Sequence, residues 1–81
     1  MSAGVAFPAD GLTDRNLADL ARAYPQHRIE TNWDERDNRW AVVRDTKVPL
    51  AVSKEAGWFV ARRDLDEIGR ARTLEALLAA I

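Results

Sequence analysis

Hydrophobic positions near the N-terminus recur with a helical period. One apolar stripe at i, i+3, i+4 and i+7 consists of Leu17, Leu20, Ala21 and Tyr24. Thr13 is a favourable N-cap for this segment, and Pro25 cannot continue a helix. The pattern therefore predicts a first helix over residues 14–24.

The period changes to two after Arg28, because Ile29, Thr31 and Trp33 alternate with polar residues. Three further strands are predicted, at 39–44, 48–52 and 58–62. Polar, turn-like segments separate them. Four strands joined by short connections indicate an antiparallel meander.

The register of this meander decides which side chains are buried, because a slip of one residue exchanges the two faces of a strand. If Trp33 faces Trp40 and the next loops lie at 45–47 and 53–57, one face collects most of the large apolar side chains. These are Ile29, Thr31, Trp33, Trp40, Val42, Val48, Leu50, Val52, Trp58 and Val60. We predict that this face, with all three tryptophans, is the core.

The C-terminal segment contains a second helical stripe. Leu74, Leu77, Leu78 and Ile81 follow the N-cap candidate Thr73, which predicts a helix from about residue 74. Residues 63–72 are open to two interpretations. Asp64 with Glu67 resembles a capping box that opens a short helix, whereas Gly69 weakens a helix and favours an edge strand over 67–71.

These elements predict an α+β domain in which a four- to five-stranded antiparallel meander packs on two helices, in the order α-β-β-β-β-(β)-α. The domain covers residues 12–81 and follows an N-terminal arm at 1–11.

The predicted register leaves the opposite sheet face uncovered by helices. Small apolar residues and one aromatic dominate it, which is typical of a protein interface. The predicted partner-binding residues are Phe59, Val43, Ala41, Ala51, Arg39 and Arg28. The partner is expected to be another protein or a second copy in a homodimer; the alternative is that Val5 and Phe7 of the arm cover this face.

Composition excludes several other classes of function. The chain has no cysteine, which rules out disulfides and thiolate chemistry, and its net charge of −1 provides no overall attraction to nucleic acid or anionic lipid. No apolar run approaches the roughly 18 residues of a membrane span, so a cytoplasmic location is expected.

Candidate chemistry is sparse. His27 is the only histidine, and nothing in the sequence brings a nucleophile or carboxylate to it. The acidic loop "DERDN" at 34–38 lacks the spacing and glycine of a calcium loop and is better explained as the end of a hairpin. No catalytic residue, metal or cofactor is predicted, and we expect a non-catalytic protein.

Four arginines indicate nucleic-acid binding as an alternative function. Arg62, Arg63, Arg70 and Arg72 are close in the sequence and predict a weak nucleic-acid site, although intervening acids also fit a self-compensated surface.

The segments "LADLARAYPQHRIETN", "RWAVVRD" and "TLEALLAAI" resemble small actinobacterial α+β proteins with no assigned activity, which implies the layout alone. The element order is also similar to that of double-stranded RNA-binding domains. Those domains grip phosphates with lysines at the start of the second helix, where this chain has only Arg72 before "TLEALL". The leading hypothesis is thus a protein-binding or regulatory module, and nucleic-acid binding is the alternative.

Overall fold

The computed structural model describes residues 11–44 and 47–81. The expectations for arm residues 1–10, and for positions 45 and 46 of the predicted turn, lie outside the described residues. Two helices and five strands follow one another along the chain: α1 (Asp14–Ala23), β1 (Ile29–Trp33), β2 (Arg39–Val43), β3 (Leu50–Glu55), β4 (Trp58–Arg63), β5 (Asp66–Ala71) and α2 (Leu74–Ala80).

The five strands form one antiparallel sheet in the order β1-β2-β3-β4-β5, which confirms the predicted α+β meander. Both helices lie on the same face of the sheet. Helix α1 contacts β1, and α2 packs on β4 and β5. The residues buried between the helices and the sheet are Leu12, Leu20, Ala41, Val43, Leu50, Val52, Phe59, Ala61, Leu74 and Leu77.

Side-chain capping fixes where both helices begin. The Thr13 hydroxyl accepts a hydrogen bond from the Asn16 backbone N–H, and the Asn16 side chain accepts one from the Thr13 N–H. The Thr73 hydroxyl accepts from the Ala76 N–H in the same way. These bonds satisfy N–H groups that have no partner within the helix. The expected helix starts are thus confirmed.

The predicted register between β1 and β2 is wrong. Trp33 pairs with Arg39 rather than Trp40, because the connecting loop is tighter than expected. One carboxylate oxygen of Asp34 accepts hydrogen bonds from the N–H groups of Arg36 and Asn38. Asp37 adopts a left-handed φ of 62°, which lets the loop close in few residues. The tight loop places Trp33 and Trp40 on opposite faces.

The turn between β3 and β4 is also shorter than predicted. Ala56 and Gly57 have φ values of 51° and 82°, so they alone form the turn and Glu55 pairs with Trp58. Two left-handed residues match the twist of a two-residue hairpin. The prediction had placed the whole segment 53–57 in the loop, which reversed the faces of β4.

The register between β2 and β3 also differs, because Val43 pairs with Leu50, whereas a turn at 45–47 would pair Val42 with it. The three register differences together exchange the predicted inner and outer faces of β2 and β4. Phe59, Val43 and Ala41, predicted to be exposed on the outer face, are buried beneath the helices. Trp40 and Trp58, predicted to be core, lie on the face without helices. The third tryptophan, Trp33, is 59% exposed and is not in the core either.

Smaller differences concern β3 and β5. Strand β3 begins at Leu50, and Val48, predicted to be buried in it, is exposed. Residues 66–71 form the edge strand that was favoured over a helix, with a register irregularity between Ala61 and Arg62 of β4. Neither helix of the described residues is long and apolar enough to cross a membrane.

Candidate functional site

The face of the sheet opposite the helices is the candidate functional surface. Residues that pair directly across the sheet point to the same side, so the register defines this surface. We call it the open face. Its strand residues are Glu30, Asn32, Trp40, Val42, Ala51, Ser53, Glu55, Trp58, Val60, Arg62, Glu67 and Arg70. No helix of the described residues covers it.

Two tryptophans provide the aromatic area of the open face. Trp40 pairs with Asn32 on one side, and Trp58 pairs with Glu55 near the turn that follows β3. Both are partly exposed. Val42 and Val60, next along the same faces of these strands, are buried but separate from the main core. The open face thus combines a small apolar layer with partly exposed indole rings.

A bidentate ion pair lies in the middle of the open face. The two terminal nitrogens of Arg62 donate to the two carboxylate oxygens of Glu55 at 2.6 and 3.2 Å. The Ser53 hydroxyl donates to the same carboxylate at 2.6 Å. The hydrogen bonds from Arg62 and then Ser53 lower the pKa of Glu55 to about 2. Glu55 therefore carries a negative charge at neutral pH and holds Arg62 in place.

Two further arginine–glutamate groups lie on either side of this pair. On β5, Arg70 donates to both carboxylate oxygens of Glu67, at 2.8 and 3.1 Å, and thereby lowers the pKa of Glu67. On β1, Glu30 accepts from Arg44 at 2.8 Å, and Arg28 lies 3.6 Å from it. Hydrogen bonding by Arg44 lowers the pKa of Glu30. The open face is thus crossed by compensated charges of both signs.

Arg72 contacts the open face in a different way. Its guanidinium carbon lies 4.0 Å from the centroid of the Trp58 ring, and that of Arg70 lies 5.9 Å from the same centroid. Both distances are within the range of a cation–π interaction. Arg72 therefore extends the aromatic surface of Trp58 with a planar cation.

A depression of about 330 Å³ lies beside Trp40 on the open face. Its walls are Asp34, Asn38, Arg39, Trp40, Ala51, Ser53, Lys54, Glu55 and Arg62. Ala51 contributes only a methyl group, so there is space between the Trp40 ring and the Arg62–Glu55 pair. The depression has the size and lining to take one apolar side chain with polar groups at its margin.

The loop at 34–38 is the end of a hairpin. Asp34 uses its carboxylate to cap backbone N–H groups, and the hydrogen bond from Asn38 is the largest cause of its lowered pKa. Among the described residues, no group of three or more histidine, cysteine or acidic side chains is positioned to hold a metal ion.

His27 lies at the junction between α1 and β1. Its ring stacks on Tyr24, with the centroids 5.8 Å apart, and its Nδ1 atom is buried without a hydrogen-bond partner. No hydrogen bond links it to a serine, threonine or carboxylate within 11–44 and 47–81. The surroundings of His27 supply no catalytic arrangement that a mechanism can be built on.

The residues predicted to bind a partner are divided between the two sides of the sheet. Ala51 and Arg28 lie on the open-face side, as predicted. Arg39 turns the other way: its guanidinium donates to the Leu12 carbonyl at 3.0 Å and pairs with Asp14 at 2.8 Å. With Phe59, Val43 and Ala41 in the core, only two of the six residues share a surface.

The four arginines of the alternative site do not form one free cluster. Arg62 and Arg70 are paired with glutamates, and Arg72 stacks on Trp58. Arg63 donates to the backbone carbonyl of Val48 at 2.8 Å. It lies on the other side of β4 from Arg62, since it pairs with Leu50.

Trp40 and Trp58 were expected in the core and instead lie at the surface of the open face. The dipeptide Ala56-Gly57 was the available signal, because a glycine in the second position is typical of a two-residue hairpin turn. That turn pairs Glu55 with Trp58 and moves Trp58 to the face of Glu55 and Ser53.

Glu55→Gln tests the strength of the central ion pair. The pKa of Glu55 is lower in the folded protein than in the unfolded chain, so ionised Glu55 stabilises the fold. This stabilisation is complete above the ordinary pKa of 4.5 and is lost as the pH falls towards about 2. The side chains of Glu55 and Arg62 are 47% and 35% exposed, so solvent screening limits the effect to about 1 kcal/mol. Urea unfolding should show the variant less stable than wild type at neutral pH and equally stable near pH 2.

The change Glu35→Gln in the exposed hairpin loop is the control and should leave the difference between neutral and acid stability unchanged. A Glu55→Gln variant as stable as wild type at neutral pH contradicts the prediction.

Comparisons with family models, with curated proteins and with solved structures found no match to this chain.

Proposed function

We propose that this protein is a non-catalytic protein-binding module whose open face receives a partner protein. The observation that carries the proposal is the position of Trp40 beside the depression, on a sheet face that no described helix covers. Tryptophan and arginine are the residues most enriched among those that dominate the energy of protein interfaces. The open face presents both types around a buried pair of valines.

The charges of the open face indicate the chemistry of the partner. Arg62, Arg70 and Arg44 are each hydrogen-bonded to a glutamate on the same sheet. A surface compensated in this way favours neither a strongly acidic nor a strongly basic ligand. The partner that fits presents an aliphatic or aromatic side chain for the depression, with uncharged or mixed polar groups around it.

Ala51→Phe tests the proposal, because it fills the depression without touching the helix-covered core. Proteins captured by wild type from cells that express the chain are identified, and the affinity of each purified candidate is then measured by calorimetry. We expect Ala51→Phe and Trp40→Ala each to weaken binding at least ~10-fold. Ala21→Phe adds the same ring to the exposed surface of α1 and should leave the affinity unchanged.

Circular dichroism and thermal melting establish that each variant is folded. A partner that binds wild type and both open-face variants with equal affinity overturns the proposal. A loss of binding in Ala21→Phe but not in Ala51→Phe would place the interface on the helices.

Binding of single-stranded nucleic acid is a second candidate, favoured by the stack of Arg72 on Trp58. Aromatic rings next to a cation provide the platforms on which bases stack. Fluorescence anisotropy with labelled oligonucleotides separates the two functions. Binding that falls steeply with added salt and is lost in Trp58→Ala supports nucleic acid, whereas no binding at low salt removes this candidate.

A further inference from the structure

The outer edge of β1 has the properties of a site for strand pairing. β1 is at one end of the sheet, and only β2 pairs with it among the described residues. The Arg44 N–H donates to the Arg28 carbonyl, and the Asp34 N–H donates to the Asn38 carbonyl. Even-numbered residues of this segment therefore direct their backbone groups towards β2.

Backbone groups of successive residues in a strand point to opposite edges, so the odd-numbered residues direct theirs outwards. Ile29, Thr31 and Trp33 thus each present one N–H and one carbonyl at the outer edge. Natural proteins protect such edges with bulges, prolines, lysines or a covering element. A helix contacts each edge strand, but the pairing of β5 with β4 has a register irregularity, whereas the pairing of β1 with β2 is regular.

We propose that the outer edge of β1 pairs antiparallel with the same edge of a second copy, about a two-fold axis through Thr31. Thr31 then faces Thr31 of the second copy, and Ile29 faces its Trp33. This register uses every outward N–H and carbonyl of the strand. It joins two five-stranded sheets into one continuous sheet.

Charge complementarity selects this register over its neighbours. With Thr31 on the axis, Arg28 lies opposite Asp34 of the second copy, and Glu30 lies opposite its Asn32. Moving the two-fold axis by one residue slides the two strands by two residues. In one direction this sets Glu30 against Glu30, and in the other it sets Glu30 against Asp34. Like charges directly opposite each other destabilise a strand pair, so both shifted registers are disfavoured.

The exposure of Trp33 agrees with this pairing. Its side chain is 59% exposed on an edge strand, where it gains little from the helix-covered core. Across the proposed axis it would lie on Ile29 of the second copy, an aromatic–aliphatic pair of the kind that stabilises antiparallel sheets. The second copy is therefore a better occupant of this edge than an unrelated extended peptide, which lacks the matched charges.

Thr31→Pro is the decisive variant. It removes one outward N–H at the centre of the proposed pair but none of the hydrogen bonds to β2, and proline is tolerated on the solvent side of edge strands. Sedimentation should show a concentration-dependent dimer for wild type and at least ~10-fold weaker association for Thr31→Pro. Thr31→Val keeps the N–H and should dimerise as wild type does.

Trp33→Lys provides a second test that leaves the backbone intact, because a lysine on an edge strand opposes pairing. Circular dichroism identifies variants that fail to fold. If Thr31→Pro does not fold, a monomeric and folded Trp33→Lys supports the proposal, and a dimeric one overturns it.

The register itself is tested by crosslinking, because the chain contains no cysteine. In the proposed pair the two Cα atoms of residue 31 are about 5.5 Å apart, within reach of a disulfide. Thr31→Cys should form a covalent dimer under mild oxidation, whereas Trp33→Cys, whose copies lie about 13 Å apart along the strands, should not. A monomeric wild type at high concentration, or crosslinking of Trp33→Cys but not Thr31→Cys, overturns the proposal. None of these results depends on the open face.

Discussion

Replacement of Phe59 by alanine is expected to destabilise the protein by about 3 to 5 kcal/mol and to leave little folded protein at 37 °C. Phe59 is 7% exposed and packs in the core beneath α2, on a strand that pairs with both β3 and β5. Its removal leaves a cavity the size of a ring in a small domain, predicted over residues 12–81, whose stability margin is small. Thermal unfolding followed by circular dichroism measures the change.

Trp40→Ala is the matched control for Phe59→Ala. It removes a larger aromatic ring from the other side of the sheet, where the ring is partly exposed and bounds the depression. We expect it to cost clearly less free energy of unfolding than Phe59→Ala. The opposite order, with Trp40→Ala the more destabilising change, would contradict the observed register of β2 and β4.

Gly11→Ala is expected to cost about 2 to 3 kcal/mol, through the backbone rather than through lost packing. Gly11 has a φ of +93°, and a Cβ built on it would lie 2.8 Å from the backbone nitrogen of Arg39. The segment is also fixed by hydrogen bonds from the Gly11 N–H to the Lys54 carbonyl and from the Leu12 N–H to the Arg39 carbonyl. An added methyl group must displace this segment from the strands, which urea unfolding would detect.

Gly57→Ala is the control for the Gly11 prediction. Gly57 also has a positive φ, of +82°, but the nearest atom to a built Cβ is the end of the flexible Arg72 side chain, at 3.2 Å. The strain of the positive φ alone should cost about 1 kcal/mol. Equal losses at the two positions would show that the close approach to Arg39 is unimportant.

The fold was predictable because each element has its own local signal. Thr13, Pro25 and Thr73 mark helix ends through capping and through the missing N–H of proline, and these signals depend on few neighbours. The strands between them are recognisable from alternating apolar residues and polar turns. Element order in a meander then follows from short connections, which allow only adjacent antiparallel pairing.

The candidate site was not predictable in the same way, because both faces of β2 and β4 are apolar. Trp40 and Val42 alternate with Ala41 and Val43, so periodicity alone cannot say which pair is buried. The faces depend on the number of residues in each turn. The loop between β1 and β2 depends on the hydrogen bonds that Asp34 accepts. The turn between β3 and β4 depends on a positive φ at Ala56, a conformation that alanine rarely adopts.

Side-chain size did not predict where the tryptophans lie. The largest side chains were expected in the core, but the core is made of leucine, valine, alanine and one phenylalanine. Ala41 and Ala61 lie on the face that receives the helices, where a small side chain lets a helix approach the sheet. Bulky indoles at the same positions would hold the helices away from the strands.

The strand order also determines how the protein folds. Each strand from β2 to β5 pairs with the strand that precedes it in the sequence, so most contacts in the sheet are local in sequence and favour rapid folding. Helix α2 is only seven residues long, too short to be stable alone, and it supplies the buried side chains of Leu74 and Leu77. A nascent chain that has completed its sheet therefore leaves β4 and β5 uncovered until α2 emerges. Loss of α2 should then leave a collapsed, aggregation-prone sheet rather than a slightly smaller native domain.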